Sequence, residues 1–298
     1  MTPAMLSARL DQPELALLPD NVLRDVRLGI SVSQTEDLPR LGLAEEHLRL
    51  ALGEVARMVL VFGGSVAYGG HLDASGYSAF LAGELQRFGR GDQRLLLTLP
   101  WSEHRKLSLA ELEEREDALG LLAKVVYLNY RGVPISKSSD RNNDACAEED
   151  PAVRAEGLSS MRLFQLEHTA AHLVIGGRRT GYQGRMPGVL EEVRLSLKAQ
   201  KPLFLAGGFG GVARDAAVKL GLVHNDSVMG GLRSYPEDVE REFEDLLPAT
   251  PEGVVDLQNG LSVPENRELA TTPRAGRVAA LVALGLSTLQ HKSGAESD

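Results

Sequence analysis

The chain has 298 residues, 43% of them hydrophobic, so it can bury the core of one large domain or of two. Its formal net charge of -9, without a face-wide cluster of Lys and Arg, argues against a nucleic-acid-binding surface. The single cysteine, Cys146, excludes a disulfide framework and a paired-thiol zinc site within the chain. Since neither a secretion signal nor a membrane-spanning run is visible, we expect a cytoplasmic protein.

Taken in chain order, apolar runs of β-forming residues alternate with segments of helical periodicity. The first helix is predicted from Glu45, a capping box from Ser108 to Glu111 predicts the start of another, and Pro151 opens a third. This alternation predicts a Rossmann-like, doubly wound α/β fold with a mainly parallel sheet and helices on both faces. The strands are predicted at residues 26–33, 65–68, 94–101, 125–130 and 172–175, with a last strand after Lys201.

We expect the chain to divide into three parts: an N-terminal lead-in (residues 1–23), the Rossmann-like domain (24–225) and a mostly helical C-terminal extension (226–298). Within the domain, residues 132–150 are polar and aperiodic, which predicts either a plain surface insertion or a loop over the site. A final helix, residues 274–290, is apolar on nearly every face, which predicts burial. It packs either on its own domain or on a second subunit.

Glycine-rich loops follow three of the predicted strands. Because the carboxyl ends of parallel strands meet at one edge of a sheet, we expect these loops to lie together and their backbone N–H groups to suit an anion. A tight strand-to-helix turn explains each loop taken alone equally well. The glycines proposed for ligand binding are Gly69, Gly70 and Gly76 in the first loop, Gly176 and Gly177 in the second, and Gly207 and Gly208 in the third.

Polar side chains lie beside these loops in the sequence. Arg178, Arg179 and Arg185 follow the strand at residues 172–175, and their guanidinium groups can fork onto phosphate or carboxylate. A solvated basic loop is the competing interpretation of these arginines. Ser31 and Ser33, at the end of the first strand, offer hydroxyl groups to the same ligand.

Two other classes of site, a dinucleotide site and a metal site, are alternatives to the anion site. GFGGVA, residues 208–213, fits the G-x-G-x-x-A dinucleotide fingerprint, follows a strand and opens a helix. It comes late in the chain and Asp226 follows no clear strand, so an NAD(P)-dependent oxidoreductase is a minority alternative. No metal site is expected, because His168 and His172 straddle a helix-to-strand boundary.

Two segments also show a resemblance to known proteins. SVAYGGHLDASGYSAFL is similar to a second strand with its V-Y-G-G-G-x-x-G-L-M-G loop, and GVLEEV is similar to the end of a P-G-G-x-G-T-x-x-E signature. In this order the motifs resemble the SLOG superfamily of Rossmann-like proteins, which includes LOG-type phosphoribohydrolases and ligand-binding modules of bacterial anti-phage systems. The resemblance implies that Gly188 and Glu192 match the signature glycine and glutamate, and that Arg162 matches the arginine that works with that glutamate.

The sequence departs from the enzymes' signature at the position nearest the scissile bond. Ile175 replaces the signature proline, the loop RRTGYQGRMP precedes Gly188, and Val189 replaces the threonine. These departures put hydrolysis in doubt more than binding. The resemblance is closest to a branch of stand-alone or effector-linked modules of bacterial conflict systems.

The resemblance therefore implies a sensor that binds a nucleotide or an ADP-ribose-like ligand and requires no other cofactor. The glycine loops with Arg178 or Arg185 would hold the phosphates, and Ser31 and Glu192 would lie near the ribose. An effector protein and a second copy of the chain are the expected protein partners. The first alternative is a nucleotide N-glycosidase, in which Glu192 assists attack at the anomeric carbon and Arg162 holds the phosphate or orients the carboxylate. A bare assembly protein, whose glycines are only turns, is the other alternative.

Overall fold

The computed structural model describes residues 21–73, 75–88, 94–138, 140–141, 144–148, 150–224, 235–244 and 254–295. Most of the predicted N-terminal lead-in and Asp226 therefore lie outside the described residues. Within the described part of the chain, no helix combines the length and the apolar composition needed to cross a bilayer.

The strands form one sheet with the order β5-β4-β3-β2-β1-β6-β7. Every neighbouring pair is parallel except β4 and β5, which are antiparallel. The predicted Rossmann-like α/β fold is thereby confirmed. The strands are β1 (Arg27–Ser33), β2 (Ser65–Gly69), β3 (Leu95–Leu99), β4 (Ala123–Leu128), β5 (Pro134–Ile135), β6 (Ala171–Gly176) and β7 (Leu203–Ala206).

Helices pack on both faces of the sheet and bury two apolar cores. Successive residues of a strand point to opposite faces, so Leu173 and Ile175 of β6 belong to one core and Val174 to the other. The first core contains residues of α1, α2, α4 and α10, and the second contains residues of α6 and α7. The helices are α1 (Glu45–Val61), α2 (Tyr77–Phe88), α3 (Trp101–His104), α4 (Leu109–Leu119), α5 (Pro151–Glu167), α6 (Gly188–Lys198), α7 (Gly211–Lys219), α8 (Glu237–Glu244), α9 (Val263–Leu269) and α10 (Ala275–Ala295).

Most element boundaries follow the predicted pattern, and two differences have local causes. The third strand, predicted to reach residue 101, ends at Leu99 because Pro100 lacks the N–H that a strand needs and α3 begins at Trp101. Helix α9 begins at Val263, within residues 248–264, whose Pro and Gly content predicted a connection without a helix. Its capping box, formed by Ser262 and Glu265, was the available signal.

The described part of residues 132–150 is held against the domain by strand pairing and hydrogen bonds. Strand β5 pairs with β4, and the Arg141 guanidinium donates a hydrogen bond of 3.0 Å to the carbonyl of His104. The Trp101 indole N–H donates a bond of 3.1 Å to Glu148. No described residue of this segment lines the cleft presented below, so the structure agrees with a surface insertion.

Helix α10 packs on α1 of the same chain and closes one face of the domain. Val278, Leu281, Val282 and Leu286 are each at most 2% exposed. The predicted burial of this helix is thus satisfied within one chain, which is one of the two alternatives that its sequence left open.

The sheet topology also indicates where a ligand would lie. Strand β1 is flanked by β2 on one side and by β6 on the other, so the strand order reverses at β1. In open α/β sheets, the crevice outside the carboxyl ends of the strands at such a reversal is the usual ligand site.

Candidate functional site

A cleft of about 470 Å³ opens at the carboxyl ends of β1 and β2, between the loops that follow them and helices α5 and α6. Its volume lies within the range of about 300–1,000 Å³ that is typical of small-molecule sites. Eight residues predicted from the sequence line the cleft: Ser31, Ser33, Gly69, Gly70, Arg162, Arg178, Gly188 and Glu192.

Arg162 of α5 lies against two consecutive carboxylates of α6. Its Nη1 pairs closely with Glu191, and its Nε lies 3.9 Å from Oε1 of Glu192. All three side chains are about 10% exposed, so little water screens them. The resemblance paired Arg162 with Glu192, and Glu191 was missed, although the consecutive glutamates in GVLEEV were a visible signal.

The ionisation of Glu192 is poised near neutral pH. Burial raises the pKa of Glu192 to about 7, and Glu191 acts in the same direction. The Arg162 charge and a hydrogen bond from the Ser31 hydroxyl oppose that rise. A carboxyl group with such a pKa can donate or accept a proton at the pH of a cell.

Gly188 leaves room for the Arg162 guanidinium beside the start of α6. A Cβ atom at position 188 would lie 2.5 Å from Nη2 of Arg162, so any larger residue would displace the guanidinium. The N-cap residue of α6, Pro187, provides no side-chain cap, and Gly188 and Val189 line the cleft. Uncapped N–H groups at a helix start favour an anion.

Gly176 and Gly177 shape the loop behind the cleft and do not line it. Gly176 has a φ of +69°, and a Cβ there would lie 2.5 Å from the carbonyl oxygen of Ser33. The Gly177 N–H donates to that carbonyl, and the N–H of Arg178 donates to the Ser33 hydroxyl at 3.3 Å. These glycines therefore hold the loop against β1 and place Arg178 at the cleft.

The three arginines of this loop have different environments. The exposed Arg178 lines the cleft, and Arg185 is exposed outside it. Arg179 is buried and bidentate to Asp215, at 2.6 and 2.9 Å, and it lies 2.7 Å from Asp37. The expectation that Arg179 is available to an anion is therefore wrong, because two carboxylates of its own chain already neutralise it.

The third glycine loop is filled by the chain itself. A Cβ at Gly207 would lie 2.6 Å from the carbonyl oxygen of Ala270, and one at Gly208 would lie 2.2 Å from that of Thr272. At the start of α7, the Gly211 N–H donates to the Asp37 carboxylate at 2.9 Å. The backbone between α9 and α10 and the Asp37 carboxylate thus occupy the place of the expected phosphate.

This packing has two consequences for the predicted sites. Gly207 and Gly208 do not line the cleft, and the dinucleotide fingerprint at residues 208–213 loses the open loop that it requires. Gly76 does not line the cleft either, because it packs against the His71 ring, 2.5 Å from where its Cβ would be.

We expect Gly208→Ala to lower the free energy of unfolding by about 1–3 kcal/mol, because the new methyl group overlaps the Thr272 backbone. The matched control is Gly83→Ala in α2, where nothing lies within 4 Å of the added Cβ. That control should raise the free energy of unfolding by about 0.5–1 kcal/mol. Urea denaturation measures both, and equal stability of the two variants would contradict the close packing at Gly208.

Aromatic side chains that the sequence motifs did not single out also line the cleft. Tyr68, Tyr77, Tyr182 and His71 are among them. Burial raises the pKa of Tyr77 to about 12 and that of Tyr68 above its ordinary value, so both phenols stay neutral and can donate hydrogen bonds. The Arg49 guanidinium lies over the Tyr77 ring, 5.1 Å from its centre, and Tyr68 belongs to the first core.

Among the described residues, no group of three or more His, Cys, Asp or Glu side chains is arranged to hold a metal ion. A family model described as SLOG cluster2 matches residues 22–269, a span that runs from before β1 to the end of α9 and includes every residue lining the cleft. No curated protein matches the chain.

Proposed function

The chain belongs to the SLOG cluster2 family, and from that premise we propose that its cleft binds a nucleotide-derived ligand, as in a sensor of the SLOG type. The family membership supports a ligand-binding or nucleotide-related role for the Rossmann-like domain. The observation that carries the finer proposal is the convergence of Arg178 and the uncapped start of α6 on one cleft at the strand reversal.

The chemistry of the cleft suggests how such a ligand would lie. A phosphate fits between the start of α6 and the guanidinium of Arg178, where it gains backbone N–H donors and a positive charge. Ser31 and Glu192 can exchange hydrogen bonds with ribose hydroxyls. The half-buried ring of Tyr182, which also lines the cleft, supplies aromatic surface for a base.

The proposal is tested by thermal unfolding with AMP, ADP-ribose and uncharged adenosine. We expect the two phosphorylated compounds to stabilise the protein, by about 2.7 kcal/mol at a concentration about 100 times Kd. Adenosine should stabilise it much less, because the phosphate supplies the charge that the cleft recognises.

Two arginines of one loop form a matched pair for the same measurement. Arg178→Met should weaken the stabilisation by AMP, whereas Arg185→Met, outside the cleft, should leave it unchanged. No stabilisation by any of the three compounds, or equal loss in both variants, would refute a phosphate site in this cleft.

A second candidate function, N-glycosidic hydrolysis of a nucleotide, is favoured by one observation. The buried Glu192 carboxyl has a pKa of about 7, which suits a general acid or base. It also lies beside Arg162. Chromatography of free nucleobase released from AMP tests it. A hydrolase would release base and lose about 10²–10⁴-fold of that activity in Glu192→Gln. Stabilisation by AMP without base release would support a sensor.

The proposal extends to the setting of the protein. A cytoplasmic sensor in a bacterial defence or signalling system needs an output, which here would be an effector protein or a second copy of the chain. Sedimentation velocity with and without AMP tests the self-association. If the protein is a monomer both with and without AMP, the effector protein remains as the candidate output.

A further inference from the structure

Three polar side chains form a path from the cleft into the sheet. Glu192 and Ser31 both line the cleft, a hydrogen bond from Ser31 lowers the pKa of Glu192, and the His172 Nε2 lies 2.9 Å from Oγ of Ser31. Exposure of these residues falls from 8% at Glu192 to 7% at Ser31 and 2% at His172. The two ends of this path have titratable groups, and a single hydroxyl connects them.

The His172 ring is enclosed on its inner side. Its Nδ1 is buried and has no hydrogen-bond partner among the described residues. Gly29 of β1 faces this atom, and a Cβ at Gly29 would lie only 2.6 Å from it. Burial lowers the pKa of His172 to about 4, and Lys201 acts in the same direction, so the ring is neutral and has one N–H at pH 7.

We infer that His172 is a positioning residue whose Nε2–H donates to the Ser31 hydroxyl and thereby directs the Ser31 hydrogen to the Glu192 carboxylate. A proton on Nδ1 instead would be a buried donor without an acceptor, which is rarer in proteins than an unpaired acceptor. Ser31 would then have to give its only hydrogen to the imidazole, and ionised Glu192 would face a lone pair.

The other groups that face Glu192 come from three elements. Arg162 of α5 stabilises its negative charge, Glu191 of α6 opposes it, and the phenol of Tyr68 on β2 lies close enough for Glu192 to raise the pKa of that tyrosine. Burial raises the pKa of Glu192 to about 7, so the loss of one hydrogen-bond donor would change the ionised fraction of Glu192 near neutral pH.

This path gives the site a means of regulation by pH. The ionised carboxylate accepts hydrogen bonds, and the protonated form can also donate one. The ionisation of Glu192 therefore decides whether the site favours a hydrogen-bond donor or an acceptor of the ligand. That consequence rests on the proposed nucleotide-binding function. The arrangement of the three side chains does not, and it can be measured without a ligand.

The first test uses the unaltered protein. The ¹⁵N chemical shifts of the His172 ring distinguish a protonated nitrogen from a bare one, and we expect the proton on Nε2 at pH 7. A proton on Nδ1 would overturn the inference, whether or not any variant folds.

The second test follows the side-chain carboxyl carbon of Glu192 by ¹³C NMR during a pH titration. Ser31→Ala and His172→Phe should each raise the pKa of Glu192, by about 1 for the serine change, because a hydrogen bond to a charged group is lost. His172→Gln, whose amide nitrogen can donate in place of Nε2, should restore the original value.

An unchanged pKa of Glu192 in Ser31→Ala, or equal values in His172→Gln and His172→Phe, would refute the positioning role. Failure of nucleotides to bind would instead refute the proposed function and leave both NMR results unaffected. The two proposals can therefore fail separately.

Discussion

Arg179→Met is expected to lower the free energy of unfolding by about 3–5 kcal/mol, because it removes the bidentate cation of buried Asp215 and the nearer cation of buried Asp37, which keeps Arg40 at 3.9 Å. Both carboxylates lie within 2.7 Å of the Arg179 guanidinium, and the guanidinium joins the loop after β6 to α7 and to the turn after β1. Removing one partner of a buried ion pair costs more than the pair contributes, since the remaining charge is desolvated.

Urea denaturation measures this loss, and Arg185→Met is the matched control. Arg185 belongs to the same loop but is exposed, so its replacement should change the free energy of unfolding by about 0.5 kcal/mol at most. If Arg179→Met were as stable as Arg185→Met, the buried ion pairs would not hold the loop in place.

Arg162→Met is expected to make the free energy of unfolding strongly dependent on pH. Without the guanidinium, Glu191 and Glu192 are two adjacent buried carboxylates with no cation between them. The pKa of Glu192 should then rise further, because burial and the charge of Glu191 both favour its protonated form. At pH 8 we expect a loss of about 3–5 kcal/mol relative to the wild type.

The sign of the pH dependence follows from proton linkage. Glu192 already has a pKa of about 7 in the folded protein, above its ordinary value of 4.5, so the folded state binds more protons than the unfolded state between these values. The contribution of Glu192 to stability is therefore fully present below pH 4.5 and is lost as pH rises through 7.

In the Arg162→Met variant, the contribution of Glu192 to the free energy of unfolding should be lost over a higher and wider pH range. The variant's loss of stability relative to the wild type should therefore be smaller at pH 5. Urea denaturation at pH 5 and pH 8 measures both deficits. Adding Glu191→Gln and Glu192→Gln to Arg162→Met removes the unpaired charges and should restore most of the stability at pH 8. A deficit that is the same at both pH values would show that Arg162 acts through packing alone.

Local sequence patterns were sufficient for most of the secondary structure. The capping box of Ser108 and Glu111 marks the start of α4 as predicted, and Pro151 opens α5 with an Asp150 cap. These signals depend on residues three or four positions apart, which interact in any chain that forms the helix. Strand β5 could not be predicted, because its two residues are ordered by pairing with β4 rather than by their own pattern.

The site shows where such patterns stop being informative. Arg178 and Arg179 are neighbours in sequence and have the same chemistry, yet one lines the cleft and the other is buried between two carboxylates. The partners that decide this are Asp37, which lies 142 residues before Arg179, and Asp215, which lies 36 residues after it. No local period reports such distant partners.

By itself, the sequence of this protein determined the alternation of strands and helices, the α/β class and the family resemblance, and it showed residue types that suit an anion. Those properties depend on the period of apolar residues and on the order of motifs, which are read along the chain. Only the tertiary structure decided which glycine loop is open, since residues 270–272 fill the loop at Gly207 and Gly208 from a distance of about sixty positions. It also placed His172, Ser31 and Glu192 on one path, because adjacent parallel strands bring together residues that the chain keeps far apart.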